Sequence, residues 1–255
     1  MKNNHHQSFA AFILAFFFSA FSSVLLAQKN FEVKLDTVRW FDTARKRVIP
    51  IAFFTPAVKV KHQRLVIFSH GYGENKGGAN LAYNYLTHHL ASEGYLVASV
   101  QHELPTDSLL PLTGKPQVVR RSNWERGAAN LLFVLSELKK RSPHLDFKHV
   151  ILVGHSNGGD MTALFAHKYP HLISKIVTLD NRRMELPRTT KPRVYSLRSS
   201  DQPADEGVLP TAEEQKKYKM TVIKLPATIH NDMDEDATEP QRKEIISYLM
   251  TFLAD

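Results

Sequence analysis

Short apolar runs, each closed by small or polar residues, recur along this chain at 64–68, 95–100, 150–153, 173–179, 193–197 and 220–225. Predominantly apolar segments of that length mark strands buried on both faces. Between the runs lie stretches whose apolar residues fall three and four apart. These are 80–92, 123–138, 160–168, 211–218 and 239–253; the last carries Ile245, Ile246, Leu249 and Leu253 on one stripe. That spacing predicts helices. Gly94 ends the first, Pro143 lies just beyond the second, and Pro240 suits the first turn of the last. Two earlier segments, 31–40 and 48–54, alternate only in part, and the second contains Pro50. They read as antiparallel strands at one edge of a sheet. Strands alternating with helices predict an α/β fold with a mostly parallel central sheet and helices on both faces.

The N-terminus has a different pattern. Lys2 is the only formally charged residue before Lys29, and 9–27 is an apolar run. It reads as a signal peptide over 1–27, cleaved after Ala27, and the protein is then periplasmic or secreted. The run is also long enough to span a bilayer, so an uncleaved N-terminal membrane anchor is the rival. No internal repeat or linker interrupts 28–255, which reads as one domain. The whole chain has a formal net charge of +8. Its basic residues are scattered (Arg45-Lys46-Arg47, Lys139-Lys140-Arg141, Arg182-Arg183, Lys216-Lys217), without the long aromatic-interleaved stripe of a nucleic-acid interface. No nucleic-acid partner is expected. A basic surface does favour peripheral contact with anionic lipids or envelopes.

Cysteine is absent, which removes disulfides, thiolate metal sites and thiol nucleophiles together. Asp232, Asp234, Glu235 and Asp236 lack the glycine and terminal glutamate spacing of a calcium loop. They read as a solvated segment capping the last helix. Gly73, Gly77 and Gly78 lack the Lys-Ser/Thr ending of a phosphate-binding loop. No metal or cofactor is expected.

The chemistry concentrates at Gly154-His155-Ser156-Asn157-Gly158-Gly159, directly after the run 150–153 and directly before a helical stretch. Strand, sharp Gly-flanked turn and helix form the context in which G-x-S-x-G presents a nucleophile. Ser156 is the expected nucleophile. A serine hydroxyl needs an adjacent base, and His230, between the last strand and last helix, is the expected one. His155 reads as a turn residue facing away from Ser156. Three carboxylates can orient His230: Asp201 is the first choice, then Asp180, then Asp205. Two backbone donors are expected to stabilise a developing oxyanion, the N–H of Asn157 and the N–H of Tyr72 in His70-Gly71-Tyr72-Gly73.

With these residues the chain resembles the α/β-hydrolase superfamily. More narrowly, it is similar to the group of dienelactone hydrolases, chlorophyllases and platelet-activating-factor acetylhydrolases. The resemblance rests on Asp42-x-x-Arg45-x-Arg47-x-Ile49-Pro50, on Leu65 through Gly71, on Leu90-Ala-Ser-Glu-Gly94-Tyr95-x-Val97 and on the Gly154–Gly159 segment. It implies an α/β-hydrolase fold and cofactor-free hydrolysis of carboxylic esters by a Ser-His-Asp triad, on small-molecule or lipid-like substrates. It also divides the acids: the acetylhydrolase and chlorophyllase pattern selects Asp180, and the commoner hydrolase pattern selects Asp201. Asn157 is less usual after the nucleophile than a bulkier residue. No inserted lid is visible, and the 101–123 loop is expected to wall the pocket. Acyl transfer or peptide hydrolysis on the same scaffold, and a non-catalytic binding module, are the alternative functions.

Overall fold

The computed structural model describes residues 30–255, so the leader read over 1–27 lies outside the described residues. The two early segments form a long antiparallel hairpin, β1 (Val33–Asp42) and β2 (Arg47–Pro56). The buried apolar runs become β3 (Arg64–Ser69), β4 (Leu96–Val100), β5 (Asp146–His155), β6 (Lys175–Leu179), β7 (Arg193–Arg198) and β8 (Thr221–Lys224). One sheet holds all eight in the order β1-β2-β4-β3-β5-β6-β7-β8. The strands from β3 onward run parallel, and β2 joins β4 antiparallel. With β1 on the outer edge, the hairpin occupies the place its partial alternation predicts.

The helices are α1 (Asn84–Ser92), the short α2 (Pro116–Val119), α3 (Arg121–Arg141), α4 (Ser156–Lys168), α5 (Ala212–Tyr218) and α6 (Glu239–Ala254). They cover both faces. Trp124, Leu131 and Leu135 of α3 pack with Met161 and Phe165 of α4 over one face. Leu86 and Leu90 of α1 pack with Ile245, Leu249 and Phe252 of α6 over the other. Of the stripe read in α6, Ile245, Leu249 and Leu253 are buried and Ile246 half-buried, while Leu81, ahead of α1, is exposed; burial of such side chains supplies about 1.5–3 kcal/mol apiece.

Several details differ from the sequence expectation. The 80–92 stretch is a 3-10 turn, Ala79–Leu81, followed by α1. Helix α3 begins two residues early, continuing from α2. The acidic segment does not cap α6: Thr238 does, in a reciprocal capping box with Gln241.

β3 is where the chain reverses its direction of winding. Its successor β4 lies on one side and β5 on the other. In open α/β sheets, ligands bind outside the carboxyl ends of the strands at such a switch point. The His70-Gly71-Tyr72 loop leaves β3 there, and Ser156 follows β5 at the same edge.

Candidate active site

Ser156 is the first residue of α4, immediately after β5, and it has φ of 51°. A non-glycine residue in the left-handed region is strained, and it persists only where the surroundings fix it. Two glycines permit the tight packing that does so. A Cβ on Gly158 would lie 2.3 Å from the His70 carbonyl oxygen, and one on Gly154 would lie 2.4 Å from the Gly158 carbonyl oxygen. The turn therefore presses against the loop leaving β3 and lifts the serine hydroxyl out of the sheet.

His230, in the 3-10 turn His230–Met233 after β8, brings Nε2 to 2.9 Å from Ser156 Oγ. Its Nδ1 lies 2.5 Å from Asp180 Oδ2. The expectation of Asp201 as the imidazole's partner is corrected here: Asp201 Oδ1 instead accepts the backbone N–H of His230 at 2.8 Å. The reason is local. Asp180 ends β6 in the left-handed region, φ 52°, which turns its carboxylate over the end of the sheet. It is fully buried, yet Ser199 N–H (2.9 Å), Ser199 Oγ–H (2.8 Å) and Arg198 Nη2 (2.8 Å) all reach it. Burial opposes its ionisation, but the bond to His230, the Arg198 charge and Ser199 outweigh burial and hold its pKa below the ordinary carboxylate value. Asp205 is elsewhere, paired with Arg183 and accepting from Gln117 Nε2.

His155 is also placed differently from the sequence reading. Its ring lies 4.7 Å from that of His230 between centroids, and it lines the same cavity as Ser156. Tyr83 Oη accepts the Gly71 N–H at 3.0 Å and lies 2.6 Å from His155 Nδ1. His155 Nε2 is 3.1 Å from the His230 carbonyl, which can only accept, so the ring proton is on Nε2 and Nδ1 accepts the Tyr83 hydroxyl proton. Burial first, and then the neighbouring His230, pushes the His155 pKa down to about 3, so it is a neutral strut. His230 is therefore held at four points: N–H by Asp201, C=O by His155, Nδ1 by Asp180 and Nε2 by Ser156.

Asn157 N–H lies in the first turn of α4, where backbone N–H groups have no acceptor within the helix. Tyr72 lines the cavity. The Asn157 side chain is buried and fully engaged. Its Oδ1 accepts from Trp124 Nε1 at 2.8 Å, and its Nδ2 donates to Glu103 Oε1 and Asn123 Oδ1 at 3.0 and 2.9 Å. An amide stands here because it satisfies three buried polar partners at once. Sequence reasoning missed Tyr83, Trp124 and Glu103, which no local motif marks.

The cavity over Ser156 measures about 180 Å³. Gly71, Tyr72, Tyr83, His155 and His230 line it, and Ala79 and Ala82 close one side. No residue of the 101–123 loop lines this cavity, so the loop does not wall it; it braces the site from behind, Leu110 N–H donating to the Tyr72 hydroxyl at 3.0 Å and His102 N–H to His70 Nε2 at 3.0 Å. Asp234 does line the cavity, so the acidic segment is not simply solvated. Burial, together with Asp236 and Glu235, raises the Asp234 pKa. Among the described residues no cluster of three or more His, Asp or Glu is arranged to hold a metal ion.

Residues 60–179, just under half of the chain, match the family model described as serine aminopeptidase, S33. No curated protein sequence matches the chain. Solved structures do. A bacterial heroin esterase superposes with a TM-score of 0.63 at 15% identity, over 90% of this chain and 86% of that one. A fungal esterase from Rhizomucor miehei gives 0.65 at 15%, over 89% and 84%. A dienelactone hydrolase-like promiscuous phosphotriesterase from metagenomic libraries gives 0.63 at 16%, over 87% and 98%. The chain has the α/β-hydrolase fold.

Proposed function

We propose that this chain is a serine hydrolase that cleaves carboxylic esters with short acyl groups. The observation that carries the reading is the continuous link Ser156 Oγ to His230 Nε2 and His230 Nδ1 to Asp180, set at the switch-point edge of the sheet. In this reading Ser156 Oγ attacks the ester carbonyl carbon while His230 Nε2 takes its proton. The carbonyl oxygen becomes an oxyanion between the N–H groups of Asn157 and Tyr72. Collapse expels the alcohol, protonated by His230, and leaves an acyl group on Ser156. Water, deprotonated by His230, then releases the carboxylic acid and restores the serine. Asp180 keeps the imidazole in the tautomer that can accept from Ser156 and stabilises the imidazolium. A non-catalytic module has no use for this alignment.

The short-acyl preference follows from the cavity. Its volume, about 180 Å³, is below that of pockets that enclose drug-sized ligands, which start near 300 Å³. The test is a p-nitrophenyl ester series from acetate to octanoate together with a fluorophosphonate probe. Turnover is expected to peak between acetate and butyrate, with probe labelling lost in Ser156→Ala. Absence of both turnover and labelling overturns the reading.

The family match supports a second reading, an aminopeptidase. Asp234 lines the cavity, where its carboxyl would pair with a substrate ammonium. A higher kcat/KM for aminoacyl p-nitroanilides than for acetate esters would favour it. The apolar leader supports export to the periplasm or beyond. Recovery of extracytoplasmic protein whose first residue is Gln28 tests that part.

A further inference from the structure

A second cavity, about 660 Å³, lies on the same edge of the sheet as Ser156 but shares no lining residue with the Ser156 cavity. The β1–β2 turn, the 104–106 loop after β4 and the first half of α3 enclose it. The antiparallel register sets the edge: Ile51 pairs with Val100 at the end of β4, so Arg47, at the start of β2, extends past the carboxyl ends of the parallel strands.

Five cationic side chains line this cavity: Arg39, Arg45, Lys46, Arg47 and Arg126. Two carboxylates answer them. Asp42 accepts from Arg45 Nε at 2.5 Å. Asp107 accepts from Arg47 Nη1 and Nη2 at 2.7 and 2.6 Å and lies 3.7 Å from Arg126. Burial opposes ionisation of both acids, but their arginine partners outweigh it and hold both pKa values below the ordinary one. Both therefore stay charged at neutral pH, and the cavity keeps an excess of three positive charges. Among the described residues neither Arg39 nor Lys46 has an acidic partner within salt-bridge distance.

A second observation points the same way. Arg45 Nη2, Arg47 Nε and Arg126 Nη2 are buried without any hydrogen-bond acceptor, as is Asn130 Nδ2 beside Arg45. A buried donor without an acceptor costs free energy and calls for a water or an ion. Arg45, Arg47 and Arg126 thus all line the cavity with hydrogen-bonding capacity that the protein's own acceptors leave unused. Guanidinium groups match phosphate in charge and in their fork of N–H donors.

From this geometry we infer that the cavity is an oxyanion-binding site for a phosphate-bearing ligand, separate from the esterase centre. Its volume exceeds that of a lone phosphate, so the ligand carries an organic portion, which Val48, Leu104 and Pro105 can contact. The inference does not depend on the esterase reading.

The test is calorimetric titration of the purified protein at constant chloride with inorganic phosphate and with glycerol phosphate, alongside cosedimentation with vesicles containing phosphatidylglycerol. Arg39→Ala/Lys46→Ala is the reporting variant, because both side chains are exposed and support no fold contact. Lys59→Ala/Lys61→Ala, at the opposite edge, removes the same charge elsewhere. Saturable binding of glycerol phosphate, weakened at least about tenfold in the reporting variant and unchanged in the control, supports a soluble ligand. Vesicle binding with that same variant dependence and no soluble binding assigns the site to a lipid headgroup. No saturable binding to any probe, or equal weakening in both variants, overturns the inference.

Discussion

Tyr83 and His155 share a 2.6 Å hydrogen bond, and through it the loop that carries Gly71 and Tyr72 is joined to the backbone of His230. Both side chains are buried, and neither has to touch the reacting atoms to matter. Replacing Tyr83 by Phe keeps the ring and removes the hydroxyl, so Gly71 N–H loses its acceptor and His155 Nδ1 its donor. Leaving such groups unpaired costs about 1–3 kcal/mol each. If part of that loss appears as misalignment of His230, kcat should fall about tenfold with KM little changed. Steady-state kinetics on an acetate ester, with circular dichroism to confirm folding, checks it. Unchanged kcat in a folded variant would show that the link does not position the base.

The two acids around His230 should respond differently to the same chemical change. Asp180→Asn removes the charge at Nδ1 and allows the wrong imidazole tautomer, so kcat should fall roughly ten-thousandfold. Asp201→Asn keeps an oxygen that can still accept the His230 N–H and should cost less than about tenfold. Measuring kcat for both variants decides the assignment, and a larger loss in Asp201→Asn would reverse it.

That assignment marks where sequence reasoning stops. The strand–turn–helix around Ser156 is local: an apolar run, flanking glycines and a helical stretch lie within about twenty residues, so they were legible. His230 was legible from chain order alone. The acid was not, because Asp180 and Asp201 both follow strand ends, and choosing between them depends on a left-handed turn at Asp180 and on Arg198 and Ser199 arriving from the neighbouring strand. His155 was misread for a related reason. Which way its ring faces depends on Tyr83, 72 positions earlier. Gly158 and Gly159 depress local helix propensity, so the sequence suggests a start near Asp160; α4 nevertheless starts at Ser156, where Gly158 packs against the end of β3. The stripes of α3 and α6 were legible because burial on one face imposes a period that needs no long-range information.

Buried titrating groups make stability depend on pH in a way that can be separated by one substitution. His155 has an ordinary pKa of 6.5 and a folded value of about 3, set chiefly by burial. Between those values the unfolded chain binds a proton that the folded chain refuses, so stability falls as pH drops below about 6.5. His102, buried and also held well below 6.5, adds to the same loss. Asp160 opposes it. Burial raises its pKa from 3.8 to about 6, against N–H bonds from Met184 and Arg183. Between 3.8 and 6 the folded chain holds the extra proton, so this group favours folding as pH drops. Asp160→Asn removes the opposing contribution while its amide oxygen can still accept the same N–H groups. The variant should therefore lose stability between pH 7 and pH 4.5 more steeply than the parent, by on the order of 2 kcal/mol. Urea unfolding at pH 7, 5.5 and 4.5 measures both slopes, and parallel slopes would mean that Asp160 is ionised in the folded chain across this range.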